Sequence, residues 1–187
     1  MDAAAQLNDV SKDFGKLLQK GSDYDVEFIC CDETIKAHKN ILCSRSDVFA
    51  SMLQIDMNER KTGQVRIQDM ESNIFRQFLR FLYIGALPEL TIDTALKFYE
   101  IADKYNVDGL KKQCAVYLID NASVETACEI LKMADRHNDP DFKNSIIEYI
   151  IKVDFPIMEE KWTDFCKENS FLATEVLNLY CRHLRQK

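Results

Sequence analysis

Between Thr34 and Leu53 the hydrophobic rhythm changes, and that change limits what the chain can fold into. Thr34, Ile35, Lys36 and Ala37 alternate as a strand does. From Ala37 onward, Ile41, Leu42, Val48, Phe49, Met52 and Leu53 recur at the three- and four-residue steps of a helix. The polar break Ser44–Asp47 divides that pattern, so the stretch reads as two short helices joined by a polar corner. Past Leu53 the periodicity fails, yet Ile55 and Met57 stay apolar before Glu59. Such groups either present a contact surface or fold back onto the core, and periodicity alone favours the core.

The flanking segments fit an α+β arrangement. Residues 6–20 carry Leu7, Val10, Phe14, Leu17 and Leu18 at helical spacing, with Gly21 as a stop. That amphipathic helix must cover its stripe, either on its own domain or on a partner. Val26–Cys31 and Thr34–Ala37 flank Asp32-Glu33 and predict a hairpin; Gln64–Ile67 predicts a third short strand. Glu71–Ile84 is a helix with a broad apolar face (Ile74, Phe75, Phe78, Leu79, Phe81, Leu82), wide enough to be buried from two sides and closed by Gly85. Leu87-Pro88-Glu89-Leu90 is an extended connector, and Thr91 caps the next helix. Strands this few and short, interleaved with helices, make a small sheet among helices.

An internal repeat follows. Ile101-Ala102-Asp103-Lys104-Tyr105-Asn106 is echoed by Met133-Ala134-Asp135-Arg136-His137-Asn138, Leu110-Lys111 by Phe142-Lys143, and Tyr117-Leu118-Ile119 by Tyr149-Ile150-Ile151, all at one offset. Each copy reads as a helical hairpin, with Asp139-Pro140 opening the second helix of the later one. Hairpins of this kind bury their apolar faces by stacking, and two copies are expected to lean on the preceding domain. Ser170 is expected to cap a last helix over Trp162 and Phe165. The basic end (Arg182, His183, Arg185, Lys187) suits a helix C-terminus.

Several ordered motifs together resemble a BTB/POZ domain of the speckle-type POZ (TDPOZ-like) group. They are Asp25-Val26 before a strand, Ala37-His38-Lys39 with Leu42 and Ser46, Tyr83-Ile84-Gly85 at a helix end, and Ala102-Asp103-Lys104-Tyr105. The resemblance spans roughly Val10 to Cys181. It implies a BTB/POZ fold followed by an all-helical BACK-like extension: a dimerisation helix over 1–20, the BTB/POZ domain over 21–120 and BACK-like helices over 121–187. In that family the first helix packs on the partner subunit, which would put Val10, Phe14, Leu17 and Ile41 at a homodimer interface. A hydrophobic-x-Glu element after the second short helix docks the N-terminal domain of cullin-3, and Met57-Asn58-Glu59 matches it. Met suits an irregular groove and Glu59 would fix register. Phe49 and Leu53 would extend the apolar patch, or else belong to the core. The expectation is a homodimeric substrate adaptor of a cullin-3 RING ubiquitin ligase, able to form mixed dimers with related chains. The alternative is an oligomerisation scaffold or repressor-type dimer without cullin. No MATH domain is expected before the chain and no Kelch or zinc-finger module after it, whether it is a fragment or a short family member.

Other classes fit poorly. A net charge of −7 argues against a nucleic-acid binder. No apolar run approaches the ~20 residues that span a bilayer, and Met1–Gln6 lacks a signal-peptide layout. An intracellular protein of the nucleus or cytoplasm is expected. Seven irregularly spaced cysteines (Cys30, Cys31, Cys43, Cys114, Cys128, Cys166, Cys181) suggest free thiols set mostly among apolar neighbours, not a disulfide framework. Of the three histidines (His38, His137, His183), His38 lies close to Cys43 in sequence, but that spacing does not oblige the two to face each other. Cys30, Cys31 and His38 lack zinc spacing, and five glycines form no phosphate-cradling loop. No catalytic site, cofactor or metal is expected; the chemistry to look for is binding.

Overall fold

The computed structural model describes residues 3–31, 33–54, 62–153 and 160–185, with the backbone alone at 3–8, 54, 160 and 161. The chain divides into two compact units, Met1–Gln113 and Cys114–Lys187.

In the first unit, helix α1 (Ala3–Lys20) ends at Gly21, whose N–H reaches the Leu17 carbonyl at 3.2 Å with a φ of 56°. Strands β1 (Val26–Cys30) and β2 (Glu33–Ala37) pair antiparallel, Val26 opposite Ala37 and Cys30 opposite Glu33. The turn therefore sits one residue earlier than Asp32-Glu33, and Cys31 takes a left-handed φ of 53° at its first position. Tight two-residue hairpins demand such a φ, which is why Glu33 is free to join the ladder. Strand β3 (Gln64–Ile67) runs parallel to β1, so the sheet order is β2-β1-β3.

Helices α2 (Lys39–Arg45) and α3 (Asp47–Gln54) form the predicted pair, but their corner is Ser46 alone. Its hydroxyl accepts from the Phe49 N–H at 3.1 Å, capping α3, and donates to the Tyr105 carbonyl at 2.6 Å. Helix α4 (Ser72–Ile84) buries Ile74, Phe75, Phe78, Leu79, Phe81, Leu82 and Tyr83, and ends at left-handed Gly85. It packs against α1, α2, β2 and α5 (Ile92–Lys104), so its wide apolar face is covered from several sides. The core is aromatic. Phe28 meets Phe49 and Phe75 edge-on at 5.6 and 4.9 Å, while Tyr105 stacks on Phe49 at 4.5 Å and lies 5.4 Å from Phe78. Thr91 and Thr94 form a reciprocal cap at the start of α5.

The sequence repeat is a repeat of backbone geometry. After α5, Val107 N–H reaches back to the Ala102 carbonyl (2.8 Å) and Asn106 N–H to Asp103 (3.1 Å). After α7 (Ala127–Arg136), Asp139 reaches Ala134 and Asn138 reaches Asp135, both at 3.1 Å. This is a Schellman motif written twice, with Asn106 and Asn138 in the left-handed region at φ of 51° and 48°. Asn takes that conformation more readily than other side chains with a Cβ, because its short amide bonds locally. The following helices, α6 (Asp108–Asp120) and α8 (Pro140–Lys152), each return a lysine to the preceding helix: Lys111 to Asp103 at 2.6 Å, Lys143 to Asp135 at 2.8 Å. Buried Leu110, Cys114 and Leu118 correspond to buried Phe142, Ile146 and Ile150.

In the second unit α7 packs on α8, and α9 (Glu160–Glu168) on α10 (Ser170–Leu184). Trp162 and Phe165 are buried and stacked at 5.1 Å. Asn169, not Ser170, occupies the cap position of α10, and its side chain makes no cap bond. Ser170 instead begins the helix, and its carbonyl takes the Thr174 hydroxyl.

Substitutions at the corner and at the two repeat turns test these joints. Ser46→Ala should lower unfolding free energy by about 1–3 kcal/mol, because it strands a buried N–H and a buried carbonyl together. Ser44→Ala, on an exposed hydroxyl of the same corner, should change it by less than about 0.5 kcal/mol; urea titration followed by circular dichroism measures both. Asn106→Val and Asn138→Val should each cost about 1–2 kcal/mol where the glycine variants cost little, since only the branched residue resists a positive φ.

Candidate functional site

The residues that carried the family resemblance form a polar brace at the start of α2. Lys39 N–H donates to Asp25 Oδ1 at 2.7 Å, so a carboxylate from before β1 caps the helix. His38 N–H donates to the Tyr83 hydroxyl at 2.8 Å, while its ring places Nδ1 2.8 Å from the same hydroxyl and Nε2 2.9 Å from the Ser22 carbonyl. A carbonyl only accepts, so in the neutral ring Nε2 carries the proton and Nδ1 accepts from Tyr83. Burial pushes the Tyr83 phenol up to about 12, against the lowering pull of the His38 N–H. The hydroxyl keeps its proton at ordinary pH and can serve both bonds.

That brace also answers the question of a Cys–His nucleophile. Both ring nitrogens of His38 are engaged, and the Cys43 thiol turns to the Phe49 carbonyl at 3.6 Å. The His38 ring is therefore turned away from the role of base to that sulfur. Among the described residues no group of three or more His, Cys, Asp or Glu could hold a metal, and no helix is long and apolar enough to cross a membrane. Cysteine burial differs from expectation: only Cys30 and Cys114 are buried, while Cys31 and Cys181 are exposed. The other three, Cys43, Cys128 and Cys166, are intermediate.

The interface candidates lie on two elements. Val10 and Phe14, one turn apart on α1, are 56% and 40% exposed. Leu17, a further turn along, and Ile41 on α2 are half-buried. The helix also packs on α4 of its own chain. Gly15 makes that approach possible, for a Cβ there would stand 3.3 Å from Ile84 Cγ2. Ser11, Gly15 and Leu18 thus lie on a neighbouring stripe from Val10 and Phe14, which is left uncovered.

Phe49 and Leu53 do not extend a surface patch. They are 0% and 3% exposed, held by the aromatic cluster on the inner side of α3, so the core alternative is the correct one for both. Met57 and Glu59, like Ile55, lie outside the described residues.

Comparison with known proteins decides the family. The model of the BTB/POZ domain matches residues 14–122. The chain belongs to the BTB/POZ domain family. It is similar to mouse TD and POZ domain-containing protein 2, at 34% identity over 117 residues, 62% of this chain and 32% of that protein. Mouse TD and POZ domain-containing protein 3 is 29% identical over 171 residues, 90% of this chain and 47% of that protein. The chain thus spans about a third to a half of these curated relatives. The BTB domain of zebrafish PATZ1 superposes with a TM-score of 0.54 at 15% identity, covering 65% of this chain and 98% of that one, which shows the shared fold. BTB/POZ domains are protein-interaction and dimerisation modules of a generally non-enzymatic family.

Thiol exposure offers a direct check on this geometry. Burial pushes the Cys114 thiol up to about 12, and burial followed by the charge of Cys31 raises that of Cys30. With iodoacetamide at neutral pH, mass spectrometry should find Cys31 and Cys181 alkylated first. Cys30 and Cys114 should lag by about a hundredfold or more, because they wait for local opening.

Proposed function

We propose that this chain is a homodimeric interaction module acting as a substrate adaptor of a cullin-3 RING ubiquitin ligase. The observation that carries the dimer is the exposed pair Val10 and Phe14 on a helix already seated on its own domain by Gly15. A second copy of α1 would remove that pair from water. The cullin part rests on Met57-Asn58-Glu59, which follows α3 in a chain of the BTB/POZ family. With Phe49 and Leu53 in the core, Met57 and Glu59 carry the contact, the first by filling a groove and the second by fixing direction. A dimer presents two such contacts, and avidity toward a multivalent substrate follows. Mixed dimers with related BTB chains use the same α1 stripe. In this reading residues 121–187 form a BACK-like segment, and the protein works in the nucleus or cytoplasm.

Size-exclusion chromatography with light scattering, with and without the cullin-3 N-terminal domain, tests both parts. The wild type should run as a dimer and shift with cullin. Phe14→Asp should yield a monomer. Met57→Asp should remain dimeric and weaken cullin binding about tenfold or more, as loss of a central interface anchor does. A dimer indifferent to cullin would remove the adaptor and leave an oligomerisation scaffold; a monomeric wild type would remove the interface.

A further inference from the structure

Within the first unit, a groove of about 420 Å³ lies between the last turn of α1, strand β2 and α4. Four cations line it, Lys20, Lys36, Arg76 and Arg80, although the chain as a whole carries −7. Two are held in place. Arg76 is paired with Glu33 at 2.7 Å. The Lys36 stem lies across Gly21, where a Cβ would come within 3.5 Å of its Cδ, and its ammonium sits 4.3 Å from the Tyr24 ring centre. Lys20 and Arg80 have no ionic partner among the described residues. The cavity continues along α1 into a second one of about 570 Å³ that shares Gln19 and Arg80; there Lys16 is neutralised by Asp13 at 2.8 Å.

The groove also has a backbone. Strand β2 is the edge of the sheet. Glu27 N–H turns toward β3, bonding the Gly63 carbonyl at 2.7 Å, so by alternation Val26, Phe28 and Cys30 turn toward β2. Their partners Ala37, Ile35 and Glu33 point inward. The amide groups of Thr34 and Lys36 therefore face out, on the residues that line the groove, with no partner among the described residues.

We propose that this groove is a docking site for an acidic, extended peptide segment of a partner protein, which adds as a strand to β2 and sets its carboxylates against Lys20, Lys36 and Arg80. Each half of the arrangement selects for such an occupant. Unpaired edge amides take an extended main chain, whose side chains alternate. Unpaired cations beside the edge take carboxylates, with the Arg80 guanidinium able to hold one in bidentate fashion. The residues involved are separate from the α1 stripe and from Met57 and Glu59, so docking here is compatible with the proposed dimer.

Fluorescence anisotropy on the full 187-residue chain tests the site with a labelled eight-residue peptide of alternating Glu and Val. The probe should bind, and an alternating Lys–Val peptide should not. Lys20→Glu and Arg80→Glu should each weaken binding about tenfold or more, as loss of a charge-assisted contact does. Lys112→Glu, an exposed charge on α6, should leave binding unchanged, and unfolding midpoints should show all three variants folded. N-methylation of alternate amides in the probe should abolish binding. Absence of binding, binding indifferent to both groove reversals, or equal binding of the N-methylated probe would overturn the proposal, the last by showing a polyanion patch without strand addition.

Discussion

Two helix ends meet inside the first unit, and one hydroxyl serves both. The corner between α2 and α3 is a single residue, which leaves the first amides of α3 facing the interior, while the end of α5 brings the Tyr105 carbonyl to the same place. Buried, either group alone would cost about 1–3 kcal/mol. Ser46 accepts from one and donates to the other, a pairing that spans 59 positions of sequence. The stack of Tyr105 on Phe49 then adds an aromatic contact at the same joint. The direction in which α3 leaves the core is thereby coupled to a helix that lies far along the chain.

What could be read from the sequence follows the range of the interactions involved. Helical stripes, the Gly85 and Asn stops, the Thr91 cap and the Asp139-Pro140 start are local signals, and each stands where its pattern places it. The hairpin was legible but its turn was not, because nothing in Cys31 announces a positive φ. The roles of Asp25, His38, Ser46 and Tyr83 were not legible at all, although the motifs containing them were. A histidine that bonds a phenol 45 positions away leaves no periodic trace. Phe49 and Leu53 show the limit of periodicity: it finds the apolar face of α3 without saying whether a core or a partner covers it. The α1 stripe keeps that ambiguity in another form, since the helix packs on its own α4 through one strip and leaves the adjacent one open.

The repeat shows how little sequence is needed to preserve a joint. The equivalence of the two copies rests on an Asn that tolerates the left-handed turn, a Lys–Asp clip and three buried positions on the second helix. At the cap itself Tyr105 of the first copy becomes His137 in the second, and the tyrosine is drawn into an aromatic cluster. In the second copy Lys143 also reaches Glu175 on α10 at 2.6 Å. Burial lowers the proton affinity of Lys143, yet its bonds to Asp135 and Glu175 outweigh that and raise it overall. The clip inherited from the hairpin thus doubles as the tie that holds the last helix.

Charge is sorted by location in the same economical way. Most lysines near an acid are paired with it: Lys97 with Glu71 and Asp93, Lys104 with Asp69, Lys111 with Asp103. An open sheet edge is a hazard because it invites pairing with an identical edge, and lysine on the edge is a common defence. Lys36 alone would serve that purpose. Two copies of β2 meeting edge to edge would bring together Lys36, Lys20 and Arg80 from both chains, while Glu33 is already held by Arg76. The same charges that repel a second copy attract an acidic strand, so the defence and the selectivity are one property of the edge. An edge guarded only against aggregation would not need the cations on α1 and α4 to converge on it from either side.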